Sequence, residues 1–186
     1  MSLQTQNKMI TKGYGAGGSN TNKNGLNYEK LTDLQNNIVT IEKHKFASKI
    51  CFKDYENIVY FRTMQSQLFK FMVDDIDNNI KKGHGCKKPD ECYINKETKT
   101  IFIIEKKFQQ VGGSVCEKIQ TSEFKIWQYN RTFPQYKIVY IYCLSDWFKH
   151  NCQAEIEYLN YRNVPVFWGN NPEYKKNIIE FIVNYK

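Results

Sequence analysis

The sequence predicts an α/β fold: a mixed central β-sheet flanked by helices. Three observations carry it. Tyr136 to Leu144 is almost continuously apolar and aromatic, as a strand buried on both faces is. Glu91 to Asn95 and Thr100 to Lys107 have the composition of two strands, joined as a hairpin around Asn95-Lys96-Glu97-Thr98. Around these runs, apolar residues recur at the spacing of amphipathic helices.

In chain order, the first expectation is a flexible segment over about residues 1–23, rich in Gly and Asn from Gly13 to Asn22. Gly13, Gly15 and Gly18 formally fit G-x-G-x-x-G. No buried strand precedes them and no Lys-Ser or Lys-Thr follows, so nucleotide binding is rejected there. A loop of this kind carrying Asn20 and Asn22 beside Lys12 and Lys23 suits a DNA backbone, offering donors to phosphates; a mobile tip without a role is the competing account. Asn24 to Lys43 reads as a helix, with Leu26, Leu31, Leu34, Ile38 and Ile41 as its stripe and Asn24 as its cap. Ser48–Phe52 and Ile58–Phe61 read as strands, and Thr63 to Asn79 as a helix carrying Met64, Leu68, Phe71 and Met72. Gln65 and Gln67 near its start could reach bases, although a wet surface is the commoner place for glutamine.

After the hairpin, Gly112 and Gly113 break the chain, and Ser114 with Glu117 forms a capping box. The helix they open runs to about Tyr129 and is expected to bury Val115, Ile119 and Trp127. A helix near Glu155 to Tyr161, a short strand Val164 to Trp168 and a final helix from the Asn171-Pro172 turn to about Val183 complete the chain. At 186 residues the expectation is one domain with a substantial core.

Hydrophobic residues make up 41% and aromatics 15%, which excludes a disordered chain. With 27 Lys and Arg against 19 Asp and Glu, the net charge of +8 suits a polyanionic partner, nucleic acid first, or simply a solvated lysine-rich surface. No run long and apolar enough for a membrane span is present, and Met1 to Thr11 lacks the apolar stretch of a signal peptide. Cys51, Cys86, Cys92, Cys116, Cys143 and Cys152 include no Cys-x-x-Cys pair, so the expectation is a cytoplasmic protein with reduced, mostly buried thiols. His84, Cys86 and Cys92 do not have the spacing of a zinc finger or ribbon.

The chemistry concentrates in Lys88-Pro89-Asp90-Glu91 and in Ile103-Ile104-Glu105-Lys106-Lys107. On an extended strand Glu105 and Lys107 emerge on one face, and a hairpin would bring Asp90 to the same end. Two carboxylates hold a hard divalent cation through oxygen, and a lysine beside them orients or deprotonates water and offsets phosphate charge. Taken singly, Asp90 could be an ordinary turn aspartate and Glu105 and Lys107 a charged strand end. Jointly that account weakens, because four apolar residues lead into Glu105 and a charge cluster there costs desolvation unless a cation or DNA uses it.

These residues resemble the motif of the PD-(D/E)XK nucleases, and within that group a type II restriction endonuclease. Pro89, Asp90, Glu105 and Lys107 match, as does the approach from Gly85. The likeness continues through Gly113-Ser114-Val115-Cys116-Glu117-Lys118-Ile119-Gln120-Thr121 and back to Asn24-Gly25-Leu26-Asn27-Tyr28-Glu29, covering about Thr11 to Asn170. The resemblance implies a restriction-endonuclease-like core and Mg2+-dependent, sequence-specific hydrolysis of double-stranded DNA leaving 5′-phosphate ends. Asp90 and Glu105 would bind metal, Lys107 would position or activate water, and Glu29, on a helix that often carries such a glutamate, would complete the metal or water shell. Taken by itself, Glu29 is equally an acid placed well near the helix start. Strand register decides whether Lys106 or Lys107 faces the metal. Gln109 on the same strand face, and Lys118, Lys125 and Arg131, suit phosphate contacts; solvation explains them equally. A palindromic target would favour a homodimer, and a cognate DNA methyltransferase would protect host sites without binding this chain. The competing functions are a junction resolvase or repair nuclease of low sequence specificity, a small RNA-processing nuclease, and a DNA-binding module with a dead site.

Overall fold

Short apolar strands form the middle layer of the computed structural model, which describes residues 19–81, 85, 87–112 and 115–186, with the backbone alone for 19–22. The strands are β1 (Ile38–Lys43), β2 (Ser48–Phe52), β3 (Tyr55–Thr63), β4 (Glu91–Asn95), β5 (Thr100–Lys107), β6 (Lys137–Leu144) and β7 (Val166–Trp168). They lie side by side in chain order in one seven-stranded sheet. The first five form an antiparallel meander, whereas β5, β6 and β7 run parallel. Antiparallel neighbours need only tight turns, whereas parallel ones need crossovers, and two helices fill each of the connections from β5 to β6 and from β6 to β7. At the β4–β5 turn the Asn95 side-chain oxygen accepts the N–H groups of Glu97 and Thr98, both at 3.0 Å, and Lys99 takes a positive φ of 49°.

The sheet is covered on both faces, as the predicted class requires. One face packs against α2 (Gln67–Phe71), which continues into a wider turn over Met72–Ile76, and against α3 (Val115–Gln120), α4 (Ser122–Thr132), α5 (Trp147–Asn151) and α6 (Gln153–Tyr161). The other packs against α1 (Ser19–Leu31) and α7 (Tyr174–Asn184). Strand alternation sends Ile101, Ile103, Tyr140 and Tyr142 to the first core and Phe102, Ile104, Val139 and Ile141 to the second. Fully buried side chains of this size each contribute roughly 1.5–3 kcal/mol. Among the described residues no helix is long and apolar enough to cross a membrane.

Several expected elements differ. The single helix over Asn24–Lys43 is instead α1, a short 3-10 turn at Gln35–Asn37 and the edge strand β1. Its apolar stripe misled: Leu26 and Leu31 are exposed, and α1 with the turn after it buries Asn24, Tyr28 and Thr32, a mainly polar stripe that apolar periodicity does not register. Helix α1 begins at Ser19, inside the segment expected to be flexible, so Asn24 is no cap. The helix expected to reach Tyr129 breaks at Thr121 into α3 and α4, and Trp127, expected inside, is 51% exposed. Helix α5 was not foreseen. Cys116 and Cys152 form a disulfide across 36 residues, against the expectation of reduced thiols, because α3 and α6 bring their Cα atoms to 5.6 Å. Cys51, Cys92 and Cys143 are free and buried. The Gly13–Gly18 loop, Lys12, the zinc candidates His84 and Cys86, and the Gly113-Ser114 start of the capping box lie outside the described residues.

Gly169, just after β7, donates its N–H to Leu144 O at 3.0 Å and lies directly under α1. A Cβ there would collide with the Tyr28 hydroxyl and come within 2.6 Å of the Thr32 methyl. Gly169→Ala is therefore expected to push α1 off the sheet and to lower stability by about 1–3 kcal/mol, the usual cost of overpacking. Urea unfolding measures this; a midpoint equal to wild type would mean that α1 does not lie so close.

Candidate functional site

The register of the β4–β5 hairpin builds the site. Glu91 pairs with Ile104, so Asp90, one position further out, lies opposite Glu105. Pro89 carries no N–H and its carbonyl accepts that of Gln65 at 2.8 Å, which holds the approach to β4. One Asp90 carboxylate oxygen then accepts the Lys106 N–H at 2.7 Å, locking the acid across the strand end. Period-two alternation places Glu105 and Lys107 together, and Lys107 Nζ lies 2.6 Å from Glu105 Oε1 and 3.2 Å from Lys106 O. A second ammonium reaches the same oxygen: Lys125 Nζ, from α4, donates to Glu105 Oε1 at 3.0 Å. It also lies 5.9 Å from the ring centres of Tyr140 and Tyr142, within cation–π range.

Burial and charge act differently on the two acids. Burial first, then the neighbouring Glu105 charge, pushes the Asp90 carboxyl above its ordinary range. Burial also acts to raise Glu105, but the ammonium groups of Lys107 and Lys125 outweigh it and hold that carboxyl below its ordinary range. The result is a carboxylate pair with one member neutralised twice and the other short of positive charge. With the Lys106 carbonyl, the pair is an all-oxygen donor set of the kind hard divalent ions take. The carbonyl and the Glu105 oxygen already hold one positive charge between them, that of Lys107.

The opposite sheet face carries a separate network behind the site. Lys106 Nζ lies 2.8 Å from Glu91 Oε2 and donates to Glu29 O at 3.2 Å. Glu91 Oε1 accepts from Tyr93 Oη at 2.6 Å and from Arg62 Nε at 3.1 Å, and Arg62 Nη2 continues to Asp33 at 2.8 Å. Burial acts to raise the Glu91 carboxyl, and Lys106 and Arg62 outweigh it, so it is lowered. This ion-paired core was missed at the sequence level. Its one signal was the period-two placement of Glu91 and Tyr93 within an otherwise uncharged strand.

Glu29 is brought to the rim by α1, whose backbone the Lys106 ammonium holds. Burial and then Asp90 raise its carboxyl, while Lys106 and Lys107 act in the opposite sense. The four expected residues Glu29, Asp90, Glu105 and Lys107 therefore share one electrostatic neighbourhood. Glu29 does not complete a tight trio of ligand atoms with Asp90 and Glu105. Among the described residues the group within 4.8 Å of one another is Cys116, Cys152 and Glu155, and its cysteines are joined as a disulfide.

The other candidates scatter. Lys125, expected as a phosphate contact, is buried on Glu105. Gln65 is exposed beside Pro89 with a positive φ of 52°, and Gln67 is exposed at the start of α2. The strand stops at Lys107, so Gln109 does not continue its face; its side-chain amide donates to Val111 O at 2.7 Å. Lys118 is exposed on α3 and Lys23 on α1, away from the hairpin end in sequence and uncommitted to it by any hydrogen bond shown. Asn20 and Asn22 fall within α1, their side chains outside the described residues. No family model, no curated protein and no solved structure matches this chain.

The two adjacent lysines are separable by stability. Lys106 is 2% exposed at its side chain, and its removal leaves a Glu91 oxygen buried without a counter-charge. With Arg62 retained, Lys106→Ala is expected to cost roughly 3 kcal/mol, the lower end for a broken buried pair. Lys107→Ala, at a half-buried position, should leave the urea midpoint within about 1 kcal/mol of wild type. The reverse order of midpoints would mean that the register is wrong.

Proposed function

We propose that this chain is a magnesium-dependent endonuclease acting on double-stranded DNA, of the PD-(D/E)XK kind and most similar to a type II restriction endonuclease. The observation that carries the reading is the register that sets Asp90 opposite Glu105 at the β4–β5 end, with Lys107 on the same oxygen as a second lysine from α4. Such a cluster of desolvated charges is costly in a fold that gains nothing from it. The +8 net charge favours a polyanion, and phosphodiester hydrolysis is what paired acids with an adjacent ammonium serve.

Asp90, Glu105 and the Lys106 carbonyl would hold the magnesium ion, which when bound supplies Lewis-acid polarisation of the phosphate and of water. Lys107, anchored by Glu105, orients the attacking water and offsets charge on the phosphate. Glu29, on α1, would complete the metal or water shell. Water attacks phosphorus in line with the 3′ oxygen, the P–O3′ bond breaks, and the leaving oxygen takes a proton from solvent. The products are a 5′-phosphate and a 3′-hydroxyl. Lys125 keeps the Glu105 carboxylate ionised and in place. A palindromic target would be cut by a symmetric pair of chains, one site per strand, with a cognate methyltransferase protecting host sites without needing to bind this chain.

Asp90→Ala and Glu105→Ala are each expected to abolish plasmid cleavage in magnesium while a gel shift in calcium persists, since each removes one of the two acidic donors. Sequencing of the ends from wild-type digests should show discrete sites with 5′-phosphates; a continuous smear would favour a repair-type nuclease. Full cleavage by either variant would end the metal-site assignment. Wild-type binding is further expected to weaken steeply with salt, because lysines and arginines displace counterions from the duplex. An affinity unchanged between low and near-physiological salt would exclude docking dominated by phosphate contacts.

A further inference from the structure

Helix α4 carries more than Lys125. On its outer side Phe124 and Trp127 are 55% and 51% exposed, with their rings stacked 5.7 Å apart at 26°. The Arg131 guanidinium lies 5.4 Å from the Trp127 ring centre. Residues three and four apart are neighbours on a helix, so the three form a column along it. Beside this column opens a cavity of about 800 Å3, walled by the segment from Ile76 to Lys81 and by Phe133 to Tyr136. Gln128 lines it, and its amide oxygen is buried without a hydrogen-bond partner.

We infer that this cavity receives an unstacked nucleobase of the DNA substrate, laid against the Phe124–Trp127–Arg131 column; the inference rests on the nuclease reading above. Every base has a π-face, and stacking on aromatic rings or an arginine plane needs no particular sequence. The Gln135 amide provides an edge partner, and the charged groups in the lining are Lys81 and Arg131 against Asp77, a net positive wall for a polyanion. One helix, α4, runs from the reacting centre to the cavity. Gln128 follows Lys125 within about one helical turn, and Lys125 Nζ is 3.0 Å from Glu105. Tyr129 Oη donates to Lys87 O at 3.1 Å, so the chain entering Asp90 runs along the same helix. Phe133 to Tyr136 lead into Lys137, which pairs with Thr100, so the cavity opens toward the end of β5 away from Glu105, and the base it takes belongs to a nucleotide several positions from a phosphate held at Asp90 and Glu105. Entry costs least for a base that is mismatched, bulged or already single-stranded.

Three fluorescein-labelled probes test this on the full chain in calcium: a perfect duplex, the same duplex with one unpaired adenine, and a single-stranded oligothymidylate. Wild type is expected to prefer the two probes that offer an unstacked base. Trp127→Ala and Phe124→Ala, both at exposed positions, should weaken binding to those two by roughly 5- to 100-fold, the range for loss of one stacking ring. The perfect duplex should be bound as before, and Trp127→Phe should restore most of the loss. Variants that bind all three probes like wild type overturn the inference and leave the nuclease reading standing. A uniform loss on every probe, perfect duplex included, also overturns it, since the column would then be a general contact. Wild type that binds no probe overturns both. A change in oligomeric state of Trp127→Ala by light scattering, with DNA binding unaltered, would make the cavity a contact between copies instead.

Discussion

The antiparallel register between β4 and β5 is the constraint on which the rest depends. Because side chains alternate with a period of two, a slip by one residue would move every β5 side chain to the other layer. Ile101 and Ile103 would exchange cores with Phe102 and Ile104, and Glu105 and Lys107 would leave the face they share. Three contacts oppose such a slip at the site end: the Pro89 carbonyl to Gln65 N–H, Asp90 to the Lys106 N–H, and Glu91 to the Lys106 ammonium. At the other end Asn95 closes the turn. The register is thus specified by hydrophobic burial along its length and by polar contacts at its tips.

Charge is divided across the sheet so that the two faces do different work. On one, Lys106, Glu91, Arg62 and Asp33 form a closed set in which the buried acid has more than one partner. Such a set is specific in geometry and costly to break. On the other, Glu105 is shared by two ammonium groups while Asp90 has a backbone N–H as its described donor. The first network holds the scaffold, and the imbalance of the second is what a cationic ligand would complete. Lysine at 106 and lysine at 107 are therefore unlike each other despite their adjacency, one structural and the other at the site.

Helices from both layers converge on this strand end. Tyr28 anchors α1 between Phe108 and the Gly169 backbone, and Glu29 follows from that placement. Helix α4, packed through Lys125, Tyr129 and Thr132, delivers an ammonium to Glu105 from within and an aromatic column to solvent on its far side. A single helix so ties the charge cluster to the open cavity beside Trp127 and Arg131.

How much of this was legible follows from the range of the interactions. The hairpin strands, β2 and the near-continuous β6 were readable because burial on a pleated sheet writes itself into adjacent residues, and the Asp90, Glu105, Lys107 grouping followed from strand alternation across one turn. Where a buried stripe is polar, as at Asn24, Tyr28 and Thr32, apolar periodicity points the wrong way, and α1 was placed too late and made too long. Trp127 was assigned to the core on hydrophobicity, which does not say which side of an amphipathic helix meets the sheet. The placement of Lys125 on Glu105, the Lys106–Glu91–Arg62 network and the joining of Cys116 to Cys152 were decided by tertiary structure alone. Lys125 with Glu105, Arg62 with Glu91 and Cys116 with Cys152 link residues 20, 29 and 36 positions apart on separate elements, and local pattern does not say which of many charged or thiol side chains will meet across such distances. The sequence by itself determined the α/β class, the central strands and the acidic residues at their end; packing decided the edge strand β1 and which charges meet.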